Sequence, residues 1–263
     1  MTQEQQEPGE VRGARTEEEL LSLLDGLFAA DREKWAGFYA DRSRPVPFFT
    51  KEPDESLVAL LDRGVLEPRP GARRGLDLGC GNGRNTLHLQ MQGFLMDGLD
   101  LSRDALDWAR SRQDQFEYHL GCDMGVRFHC GDAFGPAGAA LTGPYDLVYD
   151  SGFFHHLPPH RRPSYLALLE RLLAPGGHLG LVCFAPDGDG TGTRVPDAQL
   201  YRDGTLHGGL AYTAEELRRI FVEGPLGLQE VELRRMRNES ATSEGRFGLP
   251  ILWTALFRRP APG

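Results

Sequence analysis

A strand that runs straight into three alternate glycines constrains this chain more than any other stretch. Residues 75–85 read Gly75-Leu76-Asp77-Leu78-Gly79-Cys80-Gly81-Asn82-Gly83-Arg84-Asn85. Leu76 and Leu78 form the apolar end of a buried strand, and Thr86, Leu87, Leu89 and Met91 open a helical pattern just beyond. Glycine is needed where φ is positive or where a ligand presses on the backbone. A glycine-rich turn ahead of a helix N-terminus leaves backbone N–H groups free to hold an anionic group. The stretch therefore predicts a cradle for a carboxylate or phosphate. A dinucleotide fingerprint is spaced G-x-G-x-x-G. Here the third glycine comes one residue early and Arg84 stands in its place.

The rest of the chain supplies a sheet for that turn to sit on. Strands are predicted at Gly75–Leu78, Phe94–Asp100, Val126–Cys130, Asp146–Asp150 and His178–Phe184. Helices are predicted between them at Arg84–Gln92, Arg103–Phe116, Ala133–Leu141 and Arg161–Leu173, the last stopped by Pro175-Gly176-Gly177. Such alternation implies a parallel α/β sheet with helices on both faces. A long glycine-rich loop over 186–209 then leads to a helix capped at Thr213, Ala214–Phe221, and to two closing strands, Leu228–Arg237 and Phe247–Arg258. A loop of that length is expected to order only with substrate. Upstream, Thr16 and Glu19 form a capping box before the stripe Leu20, Leu21, Leu24, Leu27 and Phe28. Helices Asp31–Tyr39 and Asp54–Arg63 follow, separated by an aromatic, proline-rich segment, and residues 1–15 read as a disordered tail. The expectation is one domain over 16–263, with a helical cap at 16–70 and a core at 71–263.

Charge and cysteines exclude several functions. Net charge is -9 without a basic cluster, so nucleic acid is not an expected partner. No segment approaches the length of a membrane span and the N-terminus is not a signal peptide. Cys80, Cys122, Cys130 and Cys183 form no C-x-x-C pair and read as reduced thiols of a cytoplasmic enzyme. Neither His155, His156 and His160 nor His119, Cys122, His129 and Cys130 has zinc-site spacing, so no metal is expected.

Ligands of open parallel sheets sit at the carboxyl ends of the strands. Asp100 ends the second predicted strand about twenty residues after the glycine turn, the spacing at which a nucleoside-binding unit carries its ribose acid. Asp132 ends the third strand in Cys130-Gly-Asp-Ala-Phe134, and the fourth ends in Tyr149-Asp150-Ser-Gly-Phe-Phe-His-His-Leu157.

The run Leu76-Asp77-Leu78-Gly79-x-Gly81-x-Gly83, with these acids downstream, resembles motif I of class I S-adenosylmethionine-dependent methyltransferases. The resemblance implies a Rossmann-like seven-stranded sheet with an antiparallel C-terminal hairpin. It also implies S-adenosylmethionine as cofactor, S-adenosylhomocysteine as product and a small-molecule acceptor. It places Asp77, Gly79, Gly81 and Asn85 at the methionine end, Asp100 and Leu101 at the ribose, and Asp132 and Ala133 at the adenine. Asp150 would face the sulfonium, and His155 or His156 could act as general base. Trp35, Tyr39, Phe48 and Phe49 read as a lid over the sulfonium and acceptor, with Phe153 beside them. The pattern Trp35…Tyr39…Pro45-Val-Pro-Phe-Phe49 looks like the thiopurine, thiol and halide methyltransferase branch. A nucleotide-dependent oxidoreductase and a non-catalytic protein that keeps the fold are the alternatives.

Overall fold

The structure, a computed structural model, describes residues 13–67, 73–186, 192–239 and 245–261. Three helices, α1 (Glu17–Gly26), α2 (Ala29–Phe38) and α3 (Glu55–Asp62), precede the sheet. The alternating part follows as β1 (Arg74–Leu78), α4 (Arg84–Met91), β2 (Leu95–Asp100), α5 (Arg103–Leu120), β3 (Arg127–Cys130) and α6 (Pro136–Ala139). It continues with β4 (Tyr145–Ser151), α7 (Arg162–Leu172) and β5 (Leu173–Phe184). Helices α8 (Asp197–Asp203) and α9 (Ala214–Phe221) lead to β6 (Gln229–Arg235) and β7 (Leu252–Arg258). The seven strands run in the order β3-β2-β1-β4-β5-β7-β6. β1 to β5 pair in parallel, and β7 pairs antiparallel with both β5 and β6.

Alternate residues of the inner strands feed two separate cores. Leu179, Leu181 and Cys183 of β5 join Ala255 and Phe257 of β7 on one face. Val182 of β5 joins Leu147 and Tyr149 of β4 and Leu256 of β7 on the other. That is the pattern of a sheet covered on both sides. The order of strands places β1 and β4 side by side at its centre, where the chain winds away in both directions. The crevice at their carboxyl ends is where such sheets hold ligands.

Several boundaries differ from the sequence expectation. The last strand starts at Leu252, not Phe247, because Phe247 is spent on an isolated parallel bridge to Asp54. The helix expected at Ala133–Leu141 is only the four-residue α6, since Asp132 and Ala133 are held in the turn after β3. β5 begins at Leu173, ahead of the Pro-Gly-Gly stop, and absorbs it through a register shift against β4 between Tyr145 and Leu147. The 186–209 loop carries α8, anchored by the fully buried Leu200; its residues 187–191 lie outside the described residues. So does the expected tail up to residue 12. The predicted stripe is less buried than its period suggests: Leu20 and Leu27 are exposed, and of its five residues only Phe28 is buried in the core.

Candidate active site

The glycine turn after β1 has a backbone that only glycine adopts easily. Gly79, Gly81 and Gly83 have φ of 68°, 54° and 76°. Space forbids a side chain as well: a Cβ on Gly79 would lie 2.8 Å from the Phe153 Cβ, and one on Gly81 2.7 Å from the Tyr39 hydroxyl. Left-handed residues at alternate positions curl the amides into an anion-binding concavity.

Acidic groups from three strand ends meet around this turn. Asp100 accepts from the Gly81 N–H and the Ser102 N–H, each at 2.8 Å. Burial pushes its carboxyl above the ordinary range, against those backbone donors. Asp77 is buried, accepts from the Thr86 hydroxyl at 2.6 Å, and is pushed up to about 7 by burial. Asp132 accepts from the Phe134 N–H at 2.9 Å and pairs with Arg32 of α2 at 2.8 Å. All three line one cleft of about 360 Å³, within the range of small-molecule sites (~300–1,000 Å³). Gly79, Gly81, Asn85, Leu101, Ala133 and Phe153 line it too.

The cap closes over the same cleft. Trp35, Tyr39 and Phe48 line it, whereas Phe49 stacks behind them on Tyr39, 5.1 Å between centroids, and meets Trp108 edge-on. Trp35 meets His156 edge-on at 4.6 Å. The cap is fastened by Asp25, which binds His160 Nε2 at 2.8 Å and the Arg161 guanidinium. Ser102 donates to the Ala36 carbonyl at 3.2 Å.

Two expected site residues have side chains committed to protein partners. Asp150 lies beneath the cleft, fully buried, where it accepts from the Phe153 and Phe154 N–H groups and from the Tyr165 hydroxyl at 2.8 Å. It shapes the turn that carries Phe153 to His156 and is not among the residues that line the cleft. The strand end fixes its position, but its rotation sends the side chain inward. Asn85 lines the cleft, yet its amide is committed to Asp54: its Nδ2 donates to Asp54 Oδ2 at 3.0 Å and its Oδ1 accepts the Asp54 N–H. Burial disfavours the charged form of both histidines. Burial holds His155 well below its ordinary value and His156 down to about 3, the latter helped by the Lys34 charge.

Sequence reading missed the node beneath Asn85. Asp54, with no exposed surface, binds Arg84 at 2.5 Å and accepts from the Tyr149 hydroxyl at 2.8 Å. Arg84 reaches on to the Ser151 hydroxyl at 3.1 Å. Arg161, Phe184, Leu249 and Ile251 also line the cleft without being expected. The one sequence signal for Arg84 was its place directly after the third glycine.

Residues 76–177 match the family model described as a methyltransferase domain. Over 113 residues the chain is 33% identical to an uncharacterized methyltransferase of Synechocystis, covering 43% of this chain and 47% of that protein. Over 153 residues it is 28% identical to a 2-heptyl-1-hydroxyquinolin-4(1H)-one methyltransferase of Mycobacteroides abscessus, covering 56% of this chain and 62% of that one. The chain thus spans less than two thirds of either relative. A solved structure reported for the conversion of a disulfide bond into a thioacetal group during echinomycin biosynthesis superposes with a TM-score of 0.63 at 25% identity, over 88% of this chain and 93% of that one. Other solved neighbours of the fold hold S-adenosylmethionine or S-adenosylhomocysteine. The cradle suits that cofactor: no side chain fits at Gly79 or Gly81, and Asp100 already lies against the turn. Among the described residues no helix is long and apolar enough to cross a membrane.

Proposed function

We propose that the chain transfers a methyl group from S-adenosylmethionine to a small-molecule nucleophile: a thiol, hydroxyl, amine or halide. The observation that carries this is the Gly79–Gly81 turn closing on Asp100 at the mouth of an aromatic-capped cleft. Asp100 takes the ribose hydroxyls, Asp132 and the Ala133 N–H the adenine edge, and Asp77 with the turn the amino-acid end. Leu101 packs beside the nucleoside, and Asn85 serves the site by holding Asp54. Bound there, the cofactor supplies a methyl group already activated by its sulfonium.

The chain's own contribution is alignment in a dry pocket. The Trp35 and Phe48 rings exclude water and offer faces to positive charge. Tyr39 seals the turn from outside. At the β4–β5–β7 end the lining is largely apolar, through Val182, Phe184, Leu249, Ile251 and Leu252, with Ser151, His155 and His156 as polar groups. That end suits a small organic acceptor, as the name of the quinolinone methyltransferase also suggests. The net charge of -9 disfavours nucleic acid there. A thiopurine-, thiol- or halide-type acceptor remains our reading of the cap.

The test is incubation of the chain with S-adenosylmethionine and a panel of aromatic thiols, acidic phenols, amines and iodide, with S-adenosylhomocysteine read by mass spectrometry. Product with at least one acceptor is expected, and its loss on Asp100→Ala. Binding of a nicotinamide nucleotide, with no S-adenosylmethionine binding, would overturn the reading.

A further inference from the structure

The His155–His156 pair carries information that its sequence position does not. The Phe184 backbone N–H points at His155 Nδ1, 3.2 Å away. A backbone amide only donates, so Nδ1 is the bare nitrogen and the proton sits on Nε2. His155 Nε2 lies 3.0 Å from His156 Nε2. With His155 donating, His156 Nε2 must accept, and the His156 proton is on Nδ1. Among the described residues that Nδ1 has no protein partner, it is not one of the buried unpartnered atoms, and its residue lines the cleft.

We propose that the pair is a tautomer-locked hydrogen-bond donor and not a base, so that the cleft takes acceptors that arrive as anions: a thiolate, or the oxyanion of an acidic hydroxyl. The proposal rests on the methyl-transfer reading. An imidazole whose lone pair is engaged cannot remove a proton. Reversing the pair would put a proton on His155 Nδ1, against the Phe184 N–H. Among the described residues no carboxylate pairs with either imidazole: Asp150 is spent on Phe153, Phe154 and Tyr165, Asp31 on Leu206, and Asp132 on Arg32. The groups around His156 are the Trp35 and Phe184 rings, His155 and the Gly209 backbone, and the charge that reaches it is the Lys34 ammonium. That cation also favours an anionic acceptor. The acceptor lone pair forms the bond to the methyl carbon as the carbon–sulfur bond breaks, and its electron pair stays on sulfur. The acceptor anion and the sulfonium charge cancel, and no proton has to leave. His156 is then the group that touches the acceptor, and His155 is a positioning residue.

Ring-¹⁵N-histidine NMR on the full chain tests the lock. The expected result is protonated Nε2 with bare Nδ1 on His155, the reverse on His156, and no imidazolium for either between pH 5.5 and 8.5. A protonated His156 Nε2, or an imidazolium in that range, overturns the proposal. The second arm measures kcat/KM against pH for thiophenols and phenols of graded acidity. The midpoint is expected to follow each acceptor's own pKa; one fixed midpoint for all acceptors overturns the proposal. His156→Gln keeps a donor and should retain most of kcat/KM, while His156→Phe should lose about 10- to 100-fold. Equal losses in the two variants count against a donor role. The NMR arm needs neither cofactor nor acceptor. Its failure is therefore told apart from failure of the methyl-transfer reading, which shows as absent S-adenosylmethionine binding.

Discussion

Asp54→Ala is the perturbation whose outcome the structure fixes most tightly. Asp54 has no exposed surface, and its carboxylate holds Arg84 at 2.5 Å, the Asn85 amide at 3.0 Å and the Tyr149 hydroxyl at 2.8 Å. Truncation leaves the Arg84 guanidinium, itself only 7% exposed, facing an empty space. Breaking a buried ion pair by removing one partner costs about 3–5 kcal/mol. A domain of this size shifts by roughly 2–4 °C per kcal/mol, so the melting temperature should fall by on the order of 6–20 °C. Thermal melts by circular dichroism measure this directly. The companion variant Asp54→Leu/Arg84→Met removes both charges and should recover much of the loss, because an apolar pair replaces the stranded cation. A single-variant loss below about 1 kcal/mol, or strictly additive effects in the cycle, would refute the reasoning. Arg84 also holds the Ser151 hydroxyl, so the single variant should bind S-adenosylmethionine more weakly even below its melting point.

Gly81→Ala should weaken S-adenosylmethionine at least tenfold, since its Cβ meets the Tyr39 hydroxyl at 2.7 Å on a backbone with φ of 54°; an unchanged Kd by calorimetry contradicts this. Asp150 is pushed up to about 7 by burial, above its unfolded value. The native state therefore holds a proton that the unfolded chain releases from about pH 4, and stability is lost as pH rises through about 7. Asp150→Asn removes that dependence: in urea titrations its stability relative to wild type should improve from pH 4 to 7 and level off above, whereas a pH-independent difference contradicts the assignment. Asp97 is the opposite case. Hydrogen bonds from His129, Arg127 and Tyr145 outweigh burial and hold it below the ordinary range. The penalty of Asp97→Asn should accordingly be full near pH 7 and fade as pH falls below about 4.

Local pattern carried much of this fold. The alternation of apolar strands and helices gave the parallel sheet, and the three glycines gave the turn, because both are written in neighbouring residues. Asp100 and Asp132 were legible for the same reason: a strand end fixes where a short side chain begins. Rotation about that end is not written locally. Asp150 turns inward because Tyr165, fifteen residues on, offers its hydroxyl beneath the sheet. The Asp54 node joins residues separated by 30, 31 and 95 positions, and only the folded sheet brings them together. The tautomers of His155 and His156 depend on the Phe184 amide at the end of β5, which no spacing reveals. Helix α8 escaped notice within a glycine-rich loop, though Pro196 followed by Asp197 is a helix-start signal.

Calorimetric titration of the wild-type chain with S-adenosylmethionine, repeated on Asp100→Ala, bears most directly on the central claim that the glycine turn and Asp100 form a cofactor site. Micromolar binding to wild type, lost in the variant, is the predicted result. No binding to wild type, or equal binding to both proteins, would contradict it.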